Sequence, residues 1–225
     1  VRLYERALDA GEVAADMEAP IQTPRQGPVA AYSFDAGEGT TLEDLAGENN
    51  GTIEGAEWVT GKYGDALGFD GHSTCVSAPG SASLRLGEEF TIETWVKPEG
   101  TFGAGPLVSV GNEGSGGVFL GIGVTNEGFP EGWADGEEVA ENLQLERGVW
   151  AHLALTYDGA RLRLFVGGEQ VASNWIGPEI FESEGPLEIG CGSGHEYAEA
   201  RIDEVRIYQR ALSAGEIGGE AAAPS

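Results

Sequence analysis

The chain is expected to fold as an all-β sandwich of two antiparallel sheets, closed by one short C-terminal helix. Three observations predict it. More than ten short apolar stretches follow one another, each cut off by Gly, Asn, Asp or Pro, the residues that end strands and make turns. Apolar and polar residues alternate with a period of two, as in Arg161-Leu162-Arg163-Leu164, the pattern of a strand with one face buried and one face wet. Glycine is abundant, at 37 of 225 residues, and a capping-box signature at Ser213 marks a single closing helix.

Taken in order, Val1 to Tyr4 read as a strand, and Asp9-Ala10-Gly11-Glu12 has the spacing of a helix N-cap followed by Glu three residues later. This stretch, VRLYERALDAGE, returns as VRIYQRALSAGE at Val205 to Glu216, with nine of twelve residues identical at an offset of 204. The Asp-to-Ser change between the copies keeps a side-chain oxygen for the orphan N–H groups of the first helical turn. A period of that length belongs to whole domains, because solenoid repeats are far shorter. Residues 1–17 therefore read as the closing strand and helix of a preceding repeat. Residues 18–28, EAPIQTPRQGP, hold three of the ten prolines and read as a semi-extended linker. Residues 29–218 form one complete module, and 219–225 are a tail or linker. Arrays of this kind are built to bind or to span rather than to catalyse.

Within the module, Ala30 to Phe34 is a strand, and 35–52 is a long polar loop. Strands follow at 66–70, 74–78 and 90–98, then in PLVSVG and GGVFLGIGV. The segment NEGFPEGWADGEE (126–138) is read as a loop. WAHLALTY, RLRLFV, EQVAS, PLEIGC and ARIDEVRIY complete the set, with hairpin signals at Asp158-Gly159 and Gly167-Gly168.

The formal charge of −26, from 38 acids against 12 bases, excludes a nucleic-acid surface, which needs clustered Lys and Arg. Acid-rich, lysine-poor surfaces suit solubility in high salt or the holding of divalent cations. No apolar run reaches the eighteen or so residues of a membrane span, so no membrane insertion is expected. Cys75 and Cys191 are too far apart for a metal or redox motif, and each lies in a strand-like stretch. They are expected on neighbouring strands, joined by a disulfide.

The segments AAYSFDAGEGTTLEDLAGENNGTIEGAEW, GKYGDALGFDG, FTIETWVKP, GVWAHLALTYDGARLRLFVGGEQVA, GPLEIG and RIDEVRIYQRALSAGEI, in that order over about residues 29–217, resemble the laminin-G-like jelly roll of the concanavalin A-like lectin and glucanase superfamily. The resemblance implies an extracellular or cell-surface jelly-roll module, often repeated, often attached to enzymes and frequently bearing calcium. It also implies that the loop after the first strand lies close to the Ile-Asp-Glu segment. Asp35, Asp44 and Asp203 would then converge on calcium, with Glu38, Asn49 and Asn50 as further oxygen donors.

Aromatic faces stack on sugar rings, so an exposed Trp among polar loop residues is the feature of a glycan site. Trp133, with Asp135 beside it, is the candidate; the alternative is that it folds inward over a sheet edge. Trp175 is expected to fold inward, and Trp95 and Trp150 to be core. Asp70 and Asp158 read as turn residues and His152 as a packed one. The Glu-x-Asp-x-x-Glu strand pattern of this superfamily's hydrolases does not occur, so catalysis is not expected. The reading is a non-catalytic, calcium-binding adhesion or carbohydrate-binding module from a tandem array, with a glycan or surface protein as partner. The alternative is a subunit of a surface filament, joined to neighbouring copies of the module through the N-terminal segment.

Overall fold

The computed structural model describes residues 27–99, 105–111, 119–178, 183, 185–192 and 196–223. The N-terminal repeat fragment, through which the module would be joined to neighbouring copies, lies outside these residues.

The early strands are β1 (Ala30–Tyr32), β2 (Thr41–Leu42), β3 (Gly51–Glu54), β4 (Glu57–Thr60), β5 (Asp65–Asp70) and β6 (Cys75–Ala78). The middle of the chain gives β7 (Phe90–Pro98), β8 (Gly105–Gly111), β9 (Phe119–Val124), β10 (Pro130–Ala134), β11 (Glu137–Ala140) and β12 (Ala151–Tyr157). The last are β13 (Arg161–Val166), β14 (Glu169–Trp175), β15 (Leu187–Ile189), β16 (Cys191–Gly192), β17 (Glu196–Tyr197) and β18 (Glu199–Tyr208), followed by helix α1 (Ala214–Ala222). They form two antiparallel eight-stranded sheets and a separate two-stranded one, β16–β17. The first has the order β14-β13-β12-β7-β18-β5-β4, with β1 also on β18; the second runs β11-β10-β9-β8-β15-β6-β3-β2. The sandwich and its closing helix are as expected.

Period-two alternation turns Ile92, Leu153, Leu155, Leu162, Leu164 and Ile207 of the first sheet toward Val76, Val108, Leu120, Ile122 and Ile189 of the second, all within one buried cluster. Burying each such side chain stabilises by about 1.5–3 kcal/mol. A second, smaller cluster lies on the outer side of the first sheet, where α1 sets Ile217 and Leu212 against Ala154, Phe165 and Tyr208. Val205, Ile207, Tyr208 and Leu212, the large apolar positions of the repeat, and Ile217 just after it are all buried.

Helix α1 begins at a full capping box, in which the Ser213 hydroxyl accepts from the Glu216 N–H and the Glu216 carboxylate accepts from the Ser213 N–H. These bonds hold the Glu216 carboxyl down at about 2. Ser213→Ala is expected to cost about 1 kcal/mol, read by urea unfolding.

The longest strand, β18, carries a bulge. Asp203 pairs with Trp95 and Arg206 with Glu93, so three steps on β18 oppose two on β7, and Glu204 takes φ 52° between them. Without the extra residue Asp203 and Arg206 would face opposite sides of the sheet. With it, both face outward.

Candidate functional site

Strands β9, β10 and β11 form one end of the second sheet, and alternation decides what they show to solvent. Leu120, Ile122 and Val124 are buried in the core, so Phe119, Gly121 and Gly123 face out. A Cβ on Gly132 would run into Leu155 of the first sheet, so Gly132 faces in while Glu131 and Trp133 face out. The half-buried Trp133 ring stacks on Phe119 with centroids 5.7 Å apart and 27° between planes. It lies over the β9 backbone: a Cβ on Gly121 would come within 2.7 Å of the indole, and one on Gly123 within 3.1 Å. The ring needs glycine beneath it at both positions.

The segment read as a loop is therefore a hairpin. Asp135 and Gly136, at φ 52° and 80°, supply the two left-handed residues of its turn, which closes β10 onto β11. Asp135 sits at the exposed tip of that turn and not on the face that Trp133 occupies.

Following the register across the sheet, Trp133 stands in a row of outward residues: Glu138, Trp133, Gly121, Ser109, Glu188, Ser77, Thr52 and Thr41. A neighbouring row holds Glu131, Gly123 and Pro106. Burial pushes the Glu131 carboxyl up, and Glu138, Glu196 and Glu127 add to it; burial alone pushes up that of Glu188. Trp133 Nε1 and Ser109 Oγ are both buried without a hydrogen-bond partner.

The disulfide borders this face. Cys75 opens β6 and Cys191 follows directly on β15, the neighbour of β6, so the two Cα atoms lie 5.3 Å apart and the bridge forms as expected. A Cβ on Gly192 would strike the Pro106 ring, which places the β16–β17 hairpin, with Glu196, against the second row. Among the described residues the one trio of Cys, His, Asp or Glu ligand atoms within 4.8 Å is Cys75, Glu188 and Cys191, and the disulfide accounts for it.

The predicted aspartates fall into two groups. Asp203 is fully buried at the bulge; its Oδ2 accepts from the N–H groups of Lys62 (2.8 Å) and Tyr63 (3.1 Å), while its Oδ1 has no partner. Burial pushes its carboxyl up to about 7. Asp35 accepts from the Asp65 N–H at 3.2 Å, and a Cβ on Gly64 would strike its carboxylate. A Cβ on Gly61 would come within 2.7 Å of Asp203 Oδ2. The loop 61–65 is thus wrapped closely by Asp35 at one end and Asp203 at the other. Asp44 does not join them. Its Oδ1 accepts from Ala31 N and Ala46 N, and its Oδ2 from the backbone and side chain of Asn49, all at 2.8–3.0 Å. Those bonds hold its carboxyl below the usual range against the pull of burial. It staples the first loop to β1.

A laminin-G-type family model, described as "Concanavalin A-like lectin/glucanases superfamily", matches residues 70–218, from the end of β5 into α1. The chain belongs to this superfamily. No curated protein matches it. Among solved structures it is similar to domain 4 of AbnA, a GH43 extracellular arabinanase from Geobacillus stearothermophilus in complex with arabinotriose, at a TM-score of 0.72 and 21% identity over 87% of this chain and 98% of that one. It is also similar to Trypanosoma rangeli sialidase, at 0.72 and 19%, covering 88% of this chain but only 33% of the sialidase. The binding domain of Paraclostridial Mosquitocidal Protein 1 matches at 0.67 and 18%, with 87% and 52% covered. At these identities the likeness is one of fold.

Two features of this superfamily member were hidden in its sequence. Trp175 is 61% exposed and does not fold inward; Asn174 takes the inward place and donates to the Glu138 carbonyl across the gap between sheets. Beneath α1, on the outer side of the first sheet, lies a buried polar cluster. Glu93 Oε2 is 3.7 Å from His152 Nε2, Arg206 is 3.6 Å from Glu93 and 2.7 Å from Glu204, and Glu220 of α1 closes on Arg206 at 3.4 Å. His152 is packed, as expected. Trp95 is buried on this outer side, not between the sheets, with Tyr63 and His152 at its edges and Lys62 Nζ 4.3 Å from its ring centroid. Glu93 and Arg206 pair only because of the β18 bulge. Asp70 and Asp158 make the expected turns, accepting from His72 N and Ser73 N and from Ala160 N and Arg161 N.

Proposed function

We propose that the chain is a non-catalytic carbohydrate-binding module that docks glycan on the outer face of its second sheet, working outside the cell. The observation that carries this reading is Trp133: a half-exposed indole held flat by Phe119 and a glycine floor, with an unpartnered Nε1 beside it, is an apolar platform with a polar edge, which a sugar ring matches. The likeness to an arabinanase domain in complex with arabinotriose supports the ligand class, and the disulfide supports an oxidising compartment. Likeness to the binding domain of Paraclostridial Mosquitocidal Protein 1, and the absence from the sequence of the paired-carboxylate strand pattern, support binding without hydrolysis. Glycan-array binding should identify the ligand, and Trp133→Ala should weaken it about tenfold or more. Unchanged binding by that variant would place the site elsewhere.

Calcium is part of the same proposal. Asp203 Oδ1 is a buried carboxylate oxygen that lacks a hydrogen-bond partner, and Asp203 and Asp35 bond to opposite ends of the loop 61–65, whose backbone carbonyls are further hard oxygens. Asp203 and Asp35 would hold the ion and lock that loop to β18. Calcium is expected to raise the melting temperature of the wild type by mass action and to leave Asp203→Asn unmoved. A wild type indifferent to calcium removes the ion from the reading.

A further inference from the structure

Both sheets carry acids on their strands, but the basic side chains of the described strands lie on one sheet alone. Among the described residues the strands of the second sheet carry five glutamates and no Lys, Arg or His, whereas Lys97, Arg161, Arg163, Arg201 and Arg206 lie on strands of the first. Two of the five glutamates, Glu131 and Glu138, flank Trp133. Glu138 is its partner in register, Glu131 lies two residues along on the same face, and Glu196 is brought to the second row by the β16–β17 hairpin. Glu131 is repelled by Glu138, Glu196 and Glu127 together. Like charges crowded at a half-buried position are relieved by a positive group, and the face of an indole attracts one as well. Trp133 Nε1 and Ser109 Oγ, the latter only 1% exposed, stand unpartnered two places apart in the same row. Buried polar atoms nearly always find partners, so two orphans here mark where a ligand's polar groups belong.

We propose that this face takes glycans whose sugars carry protonated amino groups, such as β-linked glucosamine chains, and rejects glycans bearing carboxylates or sulfates. The sugar ring stacks on Trp133 while its ammonium lies among Glu131, Glu138 and Glu196. An anionic sugar would bring its charge into the same group of carboxylates, without a basic residue on any strand of the sheet to receive it. The inference rests on the reading of the Trp133 face as a glycan site and narrows its ligand.

Calorimetric titration of the full chain with a glucosamine tetramer, its fully N-acetylated counterpart, a tetragalacturonate and a lysine tetrapeptide tests it. The glucosamine tetramer is expected to bind roughly tenfold tighter than the N-acetylated one at low ionic strength, an advantage that shrinks as salt is raised, and the uronate is expected not to bind. Glu131→Gln with Glu138→Gln should bring the amino form down to the level of the acetylated form. Equal or tighter binding of the acetylated tetramer, or any binding of the uronate, overturns the charge selection while the glycan reading stands. A lysine peptide that binds as tightly as the glucosamine tetramer overturns the claim that a sugar is recognised. If none of these sugars binds and neutral arabino-, xylo- and gluco-oligosaccharides also fail, both readings fall.

Discussion

Opening the Cys75–Cys191 bridge is expected to lower the free energy of unfolding by about 5 kcal/mol, because the bond closes a loop of 116 residues and chain-entropy stabilisation grows with loop length. The loss should be visible as a lower urea midpoint for Cys75→Ser with Cys191→Ser, and for the wild type in reductant. It should also be local. The bridge fixes the start of the β16–β17 hairpin, whose other ties include the Ala198 N–H to Gly190 carbonyl bond at 2.9 Å and the Gly190 N–H to Leu107 carbonyl bond at 2.9 Å. Hydrogen exchange at Gly190 and Ala198 should accelerate more than at Leu153 or Leu155, which sit in the centre of the first sheet. A double variant as stable as the wild type would show that the strand pairing of β6 with β15 suffices alone.

Arg206→Ala is expected to destabilise the fold by about 3–5 kcal/mol, since it leaves Glu93 buried beneath α1 without its cation and Glu204 and Glu220 without theirs. The groups facing Glu93 are His152 from β12, Arg206 and Tyr208 from β18, and Glu220 from α1. Burial is the main cause of both shifts in the pair: the Glu93 carboxyl rises from 4.5 to about 7, and the His152 imidazole falls from 6.5 to about 4. The two work in opposite senses. Stability linked to Glu93 is fully present below pH 4.5 and is lost as pH rises through about 7; that linked to His152 is present above 6.5 and is lost as pH falls through about 4. Over the shared window they offset each other in the wild type. Each single substitution should expose the slope of the survivor. In His152→Gln, stability should fall as pH rises from 4.5 to 7, by on the order of 2–3 kcal/mol; in Glu93→Gln it should fall by a similar amount as pH drops from 6.5 to 4. Urea unfolding across that range checks both signs, and parallel curves for the three proteins would refute the pairing.

Local chemistry made much of this protein legible before its fold. The period-two runs, the Asp-Gly and Gly-Gly turns and the Ser213–Glu216 capping box each act within a few residues, so the strands, the hairpins and the closing helix follow from short windows of sequence. Asp70 and Asp158 bond to backbone two or three residues on, and their turn roles were readable for the same reason. Short or interrupted strands were not. Thr41–Leu42, Glu57–Thr60 and Cys191–Gly192 are too brief to show a period, and the hairpin of Trp133 was masked by the glycines its indole requires.

The sequence by itself determined the class of the fold, the two-sheet alternation, the capped helix, the pairing of the two cysteines and the choice of Trp133 as the aromatic to watch. Only the tertiary structure decided which oxygens, charges and rings meet. Asp44 looked equivalent to Asp35 and Asp203, yet its oxygens are consumed by β1 and Asn49. Asp203 and Arg206 face the same side of the first sheet because of a single bulge in β18. The glutamates around Trp133 are scattered from residue 127 to 196 and become neighbours through the register of β10 and β11 and the packing of the β16–β17 hairpin on Pro106. Register and bulges are set by how whole sheets pack against each other, a non-local balance that no short stretch of sequence carries.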